Sequence, residues 1–284
     1  MANHHGDFIW YELMTTDQAA AERFYTPMLG WTMSGDPSYR HIEGSDGGVG
    51  GMLTITPEMT AGGARPAWIG YVAVDDVDKM VASIEDGGGS VTWPANDMEG
   101  VGRIALVADP QGAPFYVIRP TPPADRPDRE SHAFSYDKPR PGHCAWNELS
   151  TSDPEAAKHF YGQRFGWVKD GEMDMPVLSD AAGGVEGGPL GKYEFLRHTG
   201  RAPEGSPMGQ GMLGAVMPSM PQMPVSAWTF YFRVADIDAA AGHIAAQGGA
   251  IVQEPTEIPG GEFSLVAIDP QGAHFGLVGP RKEG

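Results

Sequence analysis

Near the start of the chain, the spacing of the apolar residues changes from that of a strand to that of a helix. FIWYELM at 8–14 is a short, mostly apolar run that is typical of a strand, and Asp17 follows it as a side chain suited to capping a helix. Apolar residues then recur at helical spacing, at Ala21, Phe24, Tyr25, Met28 and Leu29. The pattern therefore predicts a strand followed by a helix with one buried face, which Gly30 is expected to end.

The same order of elements then restarts. YRHIE and GGMLTIT follow the first helix as predicted strands, and AWIGYVAV at 67–74 begins a second round. A helical stripe over 77–84 comes next, and RIALVA and APFYVI complete the round as strands. The first 120 residues thus read as two units in which a strand and a helix precede further strands.

The whole arrangement occurs twice in the chain. WYEL at 10–13 returns as WNEL at 146–149, an offset of 136, whereas Met52-Leu53 pairs with Met212-Leu213 and DPQGA at 109–113 returns at 269–273, both at an offset of 160. Matches that keep register over such distances indicate a duplication. The larger second offset means that the second copy carries 24 extra residues between Trp167 and Met212.

These offsets set the expected organisation. We predict a first domain at 1–120, a linker at 121–142 and a second domain at 143–284. Proline and charged residues dominate the linker, which favours an extended segment between the domains. The added residues are predicted to form a loop at about 174–211, which either covers a cleft or is a surface elaboration.

Composition and charge narrow the function. The formal net charge of −18 disfavours nucleic acid and acidic membrane surfaces as partners. The single cysteine, Cys144, excludes an internal disulfide framework, and MANHHGDFIW lacks the pattern of a signal peptide. We therefore expect a cytoplasmic protein, monomeric or homodimeric, whose partner is a small-molecule ligand or substrate.

The repeated units resemble the vicinal oxygen chelate superfamily, which includes glyoxalase I, extradiol dioxygenases and bleomycin-resistance proteins. The resemblance rests on the paired βαβββ pattern, on Phe-Tyr followed by Gly-Trp at the helix end, and on the Asp-Pro-x-Gly turn. Trp-x-Glu-Leu in both copies is similar to two-domain glyoxalase-like proteins. The resemblance implies an α+β fold of two tandem domains, each a curved mixed sheet around a cleft.

The resemblance also implies where a divalent metal would be held. At the ligand positions of the first strand and of the last strand this chain has Trp10 and Tyr116, or Trp146 and Gly276 in the second copy. The restarting strands and the strands near 52–54 and 212–214 also lack His, Asp and Glu there. Since these side chains do not suit such a cation, we expect no metal ligands and no cofactor at this site.

One acidic residue in each copy lies inside a predicted strand. Because side chains alternate along a strand, Glu12 shares a face with Trp10, and Glu148 shares one with Trp146. Each glutamate is either a general base or ligand anchor, or a structural acceptor of hydrogen bonds. The residues predicted to line the two clefts are Trp10, Tyr71, Tyr116, Trp146, Thr229, Tyr231, Arg233 and His274.

Three functions remain open. The first is a glyoxalase-like protein that binds a small organic molecule in a cleft without metal, and the second is a metal-independent lyase, isomerase or hydrolase with Glu148 or Glu12 as its base. The third is a metal-dependent glyoxalase-type lyase, which the ligand positions oppose. The second domain has the more polar predicted cleft and the added loop, so we expect the principal site there, unless Glu148 and Arg233 form only a buried ion pair.

Overall fold

The structure is a computed structural model of the chain. It describes residues 3–122, 124–136, 140–175, 191–203, 206–207, 209–219 and 225–282. The second half of the sequence repeats the fold of the first half, as the duplicated pattern predicts.

The first repeat forms one eight-stranded mixed sheet in the order β2-β3-β4-β1-β5-β8-β7-β6. β1 pairs in parallel with β4 and antiparallel with β5, and β5 pairs in parallel with β8. Its elements are β1 (Phe8–Thr15), α1 (Gln18–Leu29), β2 (Thr32–Asp36), β3 (Tyr39–Gly44), β4 (Gly47–Thr54), α2 (Pro57–Ala61), β5 (Ala67–Ala73), α3 (Val77–Asp86), β6 (Ser90–Met98), β7 (Gly102–Ala108) and β8 (Pro114–Pro120).

The second repeat forms an equivalent sheet in the order β10-β11-β12-β9-β13-β16-β15-β14. Its elements are β9 (Cys144–Thr151), α4 (Pro154–Phe165), β10 (Trp167–Asp174), β11 (Lys192–His198), β12 (Met212–Pro218), β13 (Ala227–Arg233), α5 (Ile237–Ala246), β14 (Ala250–Ile258), β15 (Glu262–Ile268) and β16 (His274–Gly279). The expected α+β class, with two tandem domains of paired βαβββ units, is confirmed.

The helices begin and end where the sequence predicts. The Asp17 carboxylate accepts a hydrogen bond from the Ala20 amide at 2.9 Å and caps α1, and Asp153 caps α4 in the same way. Gly30 and Gly166 follow these helices in the left-handed region, each with φ of 69°. A left-handed residue here ends the helix and favours glycine.

The register of the strands corrects one of the sequence matches. Leu13 and Leu149 occupy equivalent positions, and they pair with Met52 and with Val216. The residue equivalent to Met52 is therefore Val216, 164 residues later, and the pairing of Met52 with Met212 is wrong. A repeated Met-Leu pair is too short to fix a register that an insertion has shifted.

The region of the added residues is partly strand. β11 lies inside the range predicted to be a loop, and it pairs antiparallel with β10 and β12. The Tyr193 hydroxyl on β11 accepts a hydrogen bond from Trp146, as the Tyr39 hydroxyl on β3 does from Trp10, so the two tyrosines are equivalent and the extra residues are divided between both sides of β11. Residues 176–190 of the predicted loop lie outside the described residues.

The main core lies between the two repeats. One face of each sheet, covered at its edges by the helices, packs its apolar side chains against the other repeat, as Phe8 does against Trp167 and Phe230. Tyr11 donates a hydrogen bond to the Asn147 side chain at 2.7 Å, and these two residues occupy equivalent positions. The two repeats are thus related by an approximate twofold axis near this contact.

The linker is fixed to the first repeat at several points. The Ser131 hydroxyl donates to the Ile9 carbonyl at 2.6 Å, and the Trp31 indole donates to the Gly142 carbonyl at 2.6 Å. Asp46, in the turn between β3 and β4, forms an ion pair with Arg140. Within the described part of the chain, no helix combines the length and hydrophobicity needed to cross a membrane.

Candidate functional site

The alternation of β1 places Glu12 on the face of the first sheet that points away from the core. Its neighbours Tyr11 and Leu13 are fully buried in the core between the repeats. Glu12 itself pairs with Gly51 on β4 and with Ile69 on β5. We call this side of the sheet the first cleft face; a smaller apolar cluster on it contains Ile69, Tyr71, Ile104, Tyr116 and Ile118, with Trp10 packed against it.

Glu12 has one satisfied and one unsatisfied carboxylate oxygen. Tyr71 donates a hydrogen bond to Oε2 at 2.9 Å. Oε1 is buried and, among the described residues, has no hydrogen-bond partner. Since an unsatisfied buried oxygen is costly, this atom is where a ligand group would be most strongly stabilised.

Aromatic side chains surround the carboxylate. The Tyr71 and Tyr116 rings are stacked, with centroids 4.1 Å apart and planes 20° from parallel. The Trp10 indole donates to the Tyr39 hydroxyl at 3.0 Å, and the Tyr39 ring lies over Gly51, where a Cβ would overlap it. Tyr39 and Trp10 are only half-buried, so they form the solvent side of the cluster.

Burial controls the protonation of Glu12. Its side chain is only 2% exposed, and loss of solvent raises its pKa from 4.5 to about 7. The nearby hydroxyls of Tyr71, Tyr116 and Tyr39 lower the pKa, but by less than burial raises it. Glu12 can therefore gain or lose a proton near neutral pH, as a general acid or base requires.

Glu148 occupies the equivalent place on the second cleft face, which is the corresponding side of the second sheet. Tyr193 donates to its Oε2 at 2.7 Å, and Tyr231 donates to its Oε1 at 2.9 Å. The Trp146 indole in turn donates to the Tyr193 hydroxyl at 2.7 Å. Burial raises the pKa of Glu148 against these hydrogen bonds, but both of its oxygens have partners.

The two cleft faces differ where the last strand crosses them. Tyr116 on β8 stacks on Tyr71, whereas the equivalent residue on β16 is Gly276. A Cβ at Gly276 would overlap the Tyr231 ring, so that ring occupies the space beside the glycine. The second cleft face therefore has two tyrosines beside its glutamate, and the first has three.

Three predicted residues of the second cleft make no hydrogen bond to Glu148. Arg233 forms a two-point ion pair with Glu262 at 2.6 Å, so the proposed Glu148–Arg233 pair is wrong. Arg233 lies at the end of β13, and the Glu262 carboxylate on β15 is the acid within its reach. Thr229 is buried opposite Glu148, and His274 is half-buried with no partner for Nδ1 among the described residues.

Two residues of the site were absent from the sequence prediction. Tyr39 was overlooked because YRHIE contains a more conspicuous histidine, His41, which is exposed. Tyr193 lies beyond the added residues, where no constant offset connects it to Tyr39. A search for a tyrosine near the start of the second strand after the first helix of each repeat would have found both.

The donor set of either cleft face does not fit the divalent metal that the fold implies. Each face offers one carboxylate with neutral phenols, whose pKa values burial raises further. No group of three His, Cys, Asp or Glu side chains suited to holding a metal occurs in the described part of the chain. Structural and catalytic sites for such metals ordinarily supply three or more of these ligands.

Comparison with known proteins places this geometry in context. The sequence model of the Glyoxalase/Bleomycin resistance protein/Dioxygenase superfamily matches residues 8–117 and again 140–277. The protein named "Putative glyoxylase CFP32" of Mycobacterium tuberculosis is 35% identical over 282 residues, covering 95% of this chain and 94% of the relative. "Anthracycline biosynthesis protein DnrV" of Streptomyces peucetius is 30% identical over 292 residues, covering 95% and 91%.

A solved structure shares the fold at low sequence identity. The Mn(II)-bound glyoxalase from Novosphingobium aromaticivorans is 16% identical with a TM-score of 0.61, over 98% of this chain and 84% of that protein. Identity at this level supports a common architecture and no more, because one fold hosts many activities.

Proposed function

The chain belongs to the Glyoxalase/Bleomycin resistance protein/Dioxygenase superfamily, and from this we propose that it binds a small organic molecule at Glu12 without a metal at the superfamily site. The observation that carries the proposal is the buried Oε1 of Glu12, which lacks a partner among the described residues. The aromatic rings around it supply apolar contact area, and one polar group that fixes orientation completes the usual composition of a small-molecule site.

The sequence favours the second repeat as the principal site, but hydrogen bonding favours the first. Both oxygens of Glu148 already accept hydrogen bonds from tyrosines, which suits a structural role. Glu12 retains a free acceptor. A ligand at Glu12 would satisfy an existing deficit, whereas a ligand at Glu148 would have to displace a tyrosine.

A metal-independent enzyme is the second candidate. The supporting observation is the pKa of Glu12, which burial raises to about 7. A carboxylate with this pKa and one free oxygen can take a proton from a bound substrate, the step that lyases and isomerases share. The glyoxylase and biosynthetic names of the relatives are compatible with such chemistry.

The test is a metabolite screen by thermal shift, which includes aromatic polyketides because of the relative in anthracycline biosynthesis. A ligand of the folded state raises the melting temperature, and each hit is repeated on Glu12→Gln and Glu148→Gln proteins. We expect Glu12→Gln to weaken binding at least tenfold, with a smaller effect of Glu148→Gln. Loss of binding only in Glu148→Gln would move the site to the second repeat.

Elemental analysis of the same protein, purified without chelators, separates the metal-dependent alternative. We expect well below one equivalent of Zn, Fe, Mn or Ni, because the donor set is deficient. The proposal would be contradicted if the parent protein contained near-stoichiometric metal and Glu12→Gln lost both the metal and ligand binding.

A further inference from the structure

Within the part of the chain that the structure describes, the buried Glu12 carboxylate has no counter-charge. Its side chain is 2% exposed, and the groups that influence its titration are the hydroxyls of Tyr71, Tyr116 and Tyr39. On the same face of its own strand lies Trp10. On the two neighbouring strands, Glu12 pairs with Gly51 and Ile69. Among the described residues, no Lys, Arg or His contributes to its charge environment.

Among the described residues, the other buried acids have either a cationic partner or donors to both carboxylate oxygens, as Asp109 and Asp269 have. Asp7, 1% exposed, accepts two hydrogen bonds from the Arg201 guanidinium, at 2.6 and 3.0 Å. Glu194, also buried, lies between Lys158 and Lys169. Glu12 is thus a buried acid for which the fold supplies hydrogen-bond donors on one oxygen and no cation.

The rings around Glu12 provide the second feature of a cation site. Trp10, Tyr39, Tyr71 and Tyr116 lie on β1, β3, β5 and β8, and the stacked Tyr71 and Tyr116 rings pack beside the carboxylate, to which Tyr71 donates a hydrogen bond. Aromatic faces attract ammonium groups, most strongly where water is excluded. A carboxylate among such rings is therefore matched to an organic cation.

We propose that the first cleft face binds the primary ammonium head of an organic amine, with the ammonium donating to Glu12 Oε1 and lying against the surrounding rings. This inference rests on the proposed function and names its ligand class. The formal net charge of −18 supports it, because an acidic protein raises the local concentration of cations.

Burial restricts the head group to a small one. Little space adjoins a side chain that is 2% exposed, and the half-buried Tyr39 and Trp10 lie on its solvent side. A primary ammonium carries three N–H donors and can bond Oε1 directly. A trimethylammonium group has no donor, and an alcohol has no charge to neutralise the acid.

The second cleft face lacks the deficit on which the inference depends. Tyr193 and Tyr231 occupy one oxygen of Glu148 each, at 2.7 and 2.9 Å. An ammonium there would replace an existing hydrogen bond, so its net gain is smaller. We therefore expect one amine site per chain.

The test uses three probes that share a benzyl body: benzylamine, benzyl alcohol and benzyltrimethylammonium. Titration calorimetry on the intact protein at pH 7, in two buffers with different ionisation enthalpies, measures both affinity and proton release. Benzylamine should bind at least tenfold more tightly than either control. It should also release about half a proton per chain, because a bound cation drives the half-protonated Glu12 to its ionised form. At pH 8, where Glu12 is mostly ionised and benzylamine is still a cation, the release should fall to about a tenth of a proton.

Two variants make the assignment specific. Glu12→Gln should abolish the preference for benzylamine and the proton release, whereas Glu85→Gln, the same change on the exposed side of α3, should preserve both. Equal affinity for benzylamine and benzyl alcohol, or for benzylamine and benzyltrimethylammonium, overturns the amine assignment. The parent protein alone decides this, even if a variant fails to fold.

The same data separate this inference from the proposed function. If the screen yields neutral ligands that depend on Glu12 and benzylamine does not compete with them, the cleft is a ligand site but not an amine site. If no ligand depends on Glu12, both proposals fail.

Discussion

The pair Glu12 and Glu148 shows how two identical residues at equivalent positions acquire different properties. Both are buried on a cleft face beside a tryptophan. The difference is made by Tyr193, which donates directly to Glu148, while Tyr39 makes no hydrogen bond of normal geometry to Glu12 Oε1. A shift of one hydroxyl thus separates a satisfied acid from one with a vacant acceptor.

The protonation of Glu12 should appear in the pH dependence of stability. Its pKa is raised to about 7 in the folded protein, so the folded state holds the proton more tightly than the unfolded state. Stability is then highest below about pH 4.5 for this group and is lost as the pH rises through 7, by roughly 3 kcal/mol. Glu12→Gln should remove that loss and be more stable than the parent at pH 8, but not at pH 5.

Urea unfolding of parent, Glu12→Gln and Glu85→Gln proteins at pH 5, 6, 7 and 8 measures this effect. The difference between Glu12→Gln and the parent should grow with pH, whereas that for Glu85→Gln should stay constant. A constant difference for Glu12→Gln would show that Glu12 does not change its charge over this range.

Sequence alone predicted the residues whose signal is local and repeated. Glu12, Trp10 and Tyr71 follow from alternation within their strands, and the structure brings them together. Arg233 was misplaced because strand parity fixes a face but not the partner, and Glu262 lies on another strand. Whether Oε1 of Glu12 has a partner depends on the position of the Tyr39 hydroxyl, on β3. No pattern along the chain specifies that position.

At the scale of the elements, neighbouring strands are held together by close backbone contacts. In the sequence these contacts are visible only as glycines. β4 lies against β1 so tightly that a Cβ at Gly50 would overlap the Tyr11 carbonyl oxygen, and Gly214 makes the same approach to Asn147. These glycines place β4 and β12, the last strand of each first unit, beside the strand that carries the glutamate. They explain why the glycine run at 47–51 is strand and not a ligand-binding loop.

Two glycine-to-alanine changes should therefore have opposite effects. Gly50→Ala forces β4 away from β1 and should destabilise the protein by about 3 kcal/mol or more. Gly242→Ala, in α5 with no atom within 4 Å of the added Cβ, should stabilise it by roughly 0.5–1 kcal/mol. Chemical denaturation measures both, and a neutral Gly50→Ala would show that the two strands can separate without loss.

At the scale of the whole molecule, the repeated sequence encodes one shared core. The Trp68 indole donates to the Tyr25 hydroxyl at 3.1 Å, and Tyr25 donates to Asp269 of the other repeat at 3.1 Å. Trp228, Tyr161 and Asp109 form the reciprocal chain. The duplicated Phe-Tyr, Ala-Trp and Asp-Pro-Gln-Gly motifs therefore contribute residues to contacts between the repeats. Their repetition can be read from the sequence, but their position in the interface cannot.

This shared core predicts that the chain unfolds in one cooperative step although it contains two domains. Tyr161→Phe leaves Asp109 Oδ2 and the Trp228 indole unpartnered in the core, which should cost about 1–3 kcal/mol. Tyr25→Phe, its symmetry mate, should cost a similar amount. Calorimetry and tryptophan fluorescence should show a single transition whose midpoint falls by several degrees in either variant. Two resolved transitions, with Tyr161→Phe moving only one of them, would mean that each repeat is stable without the other.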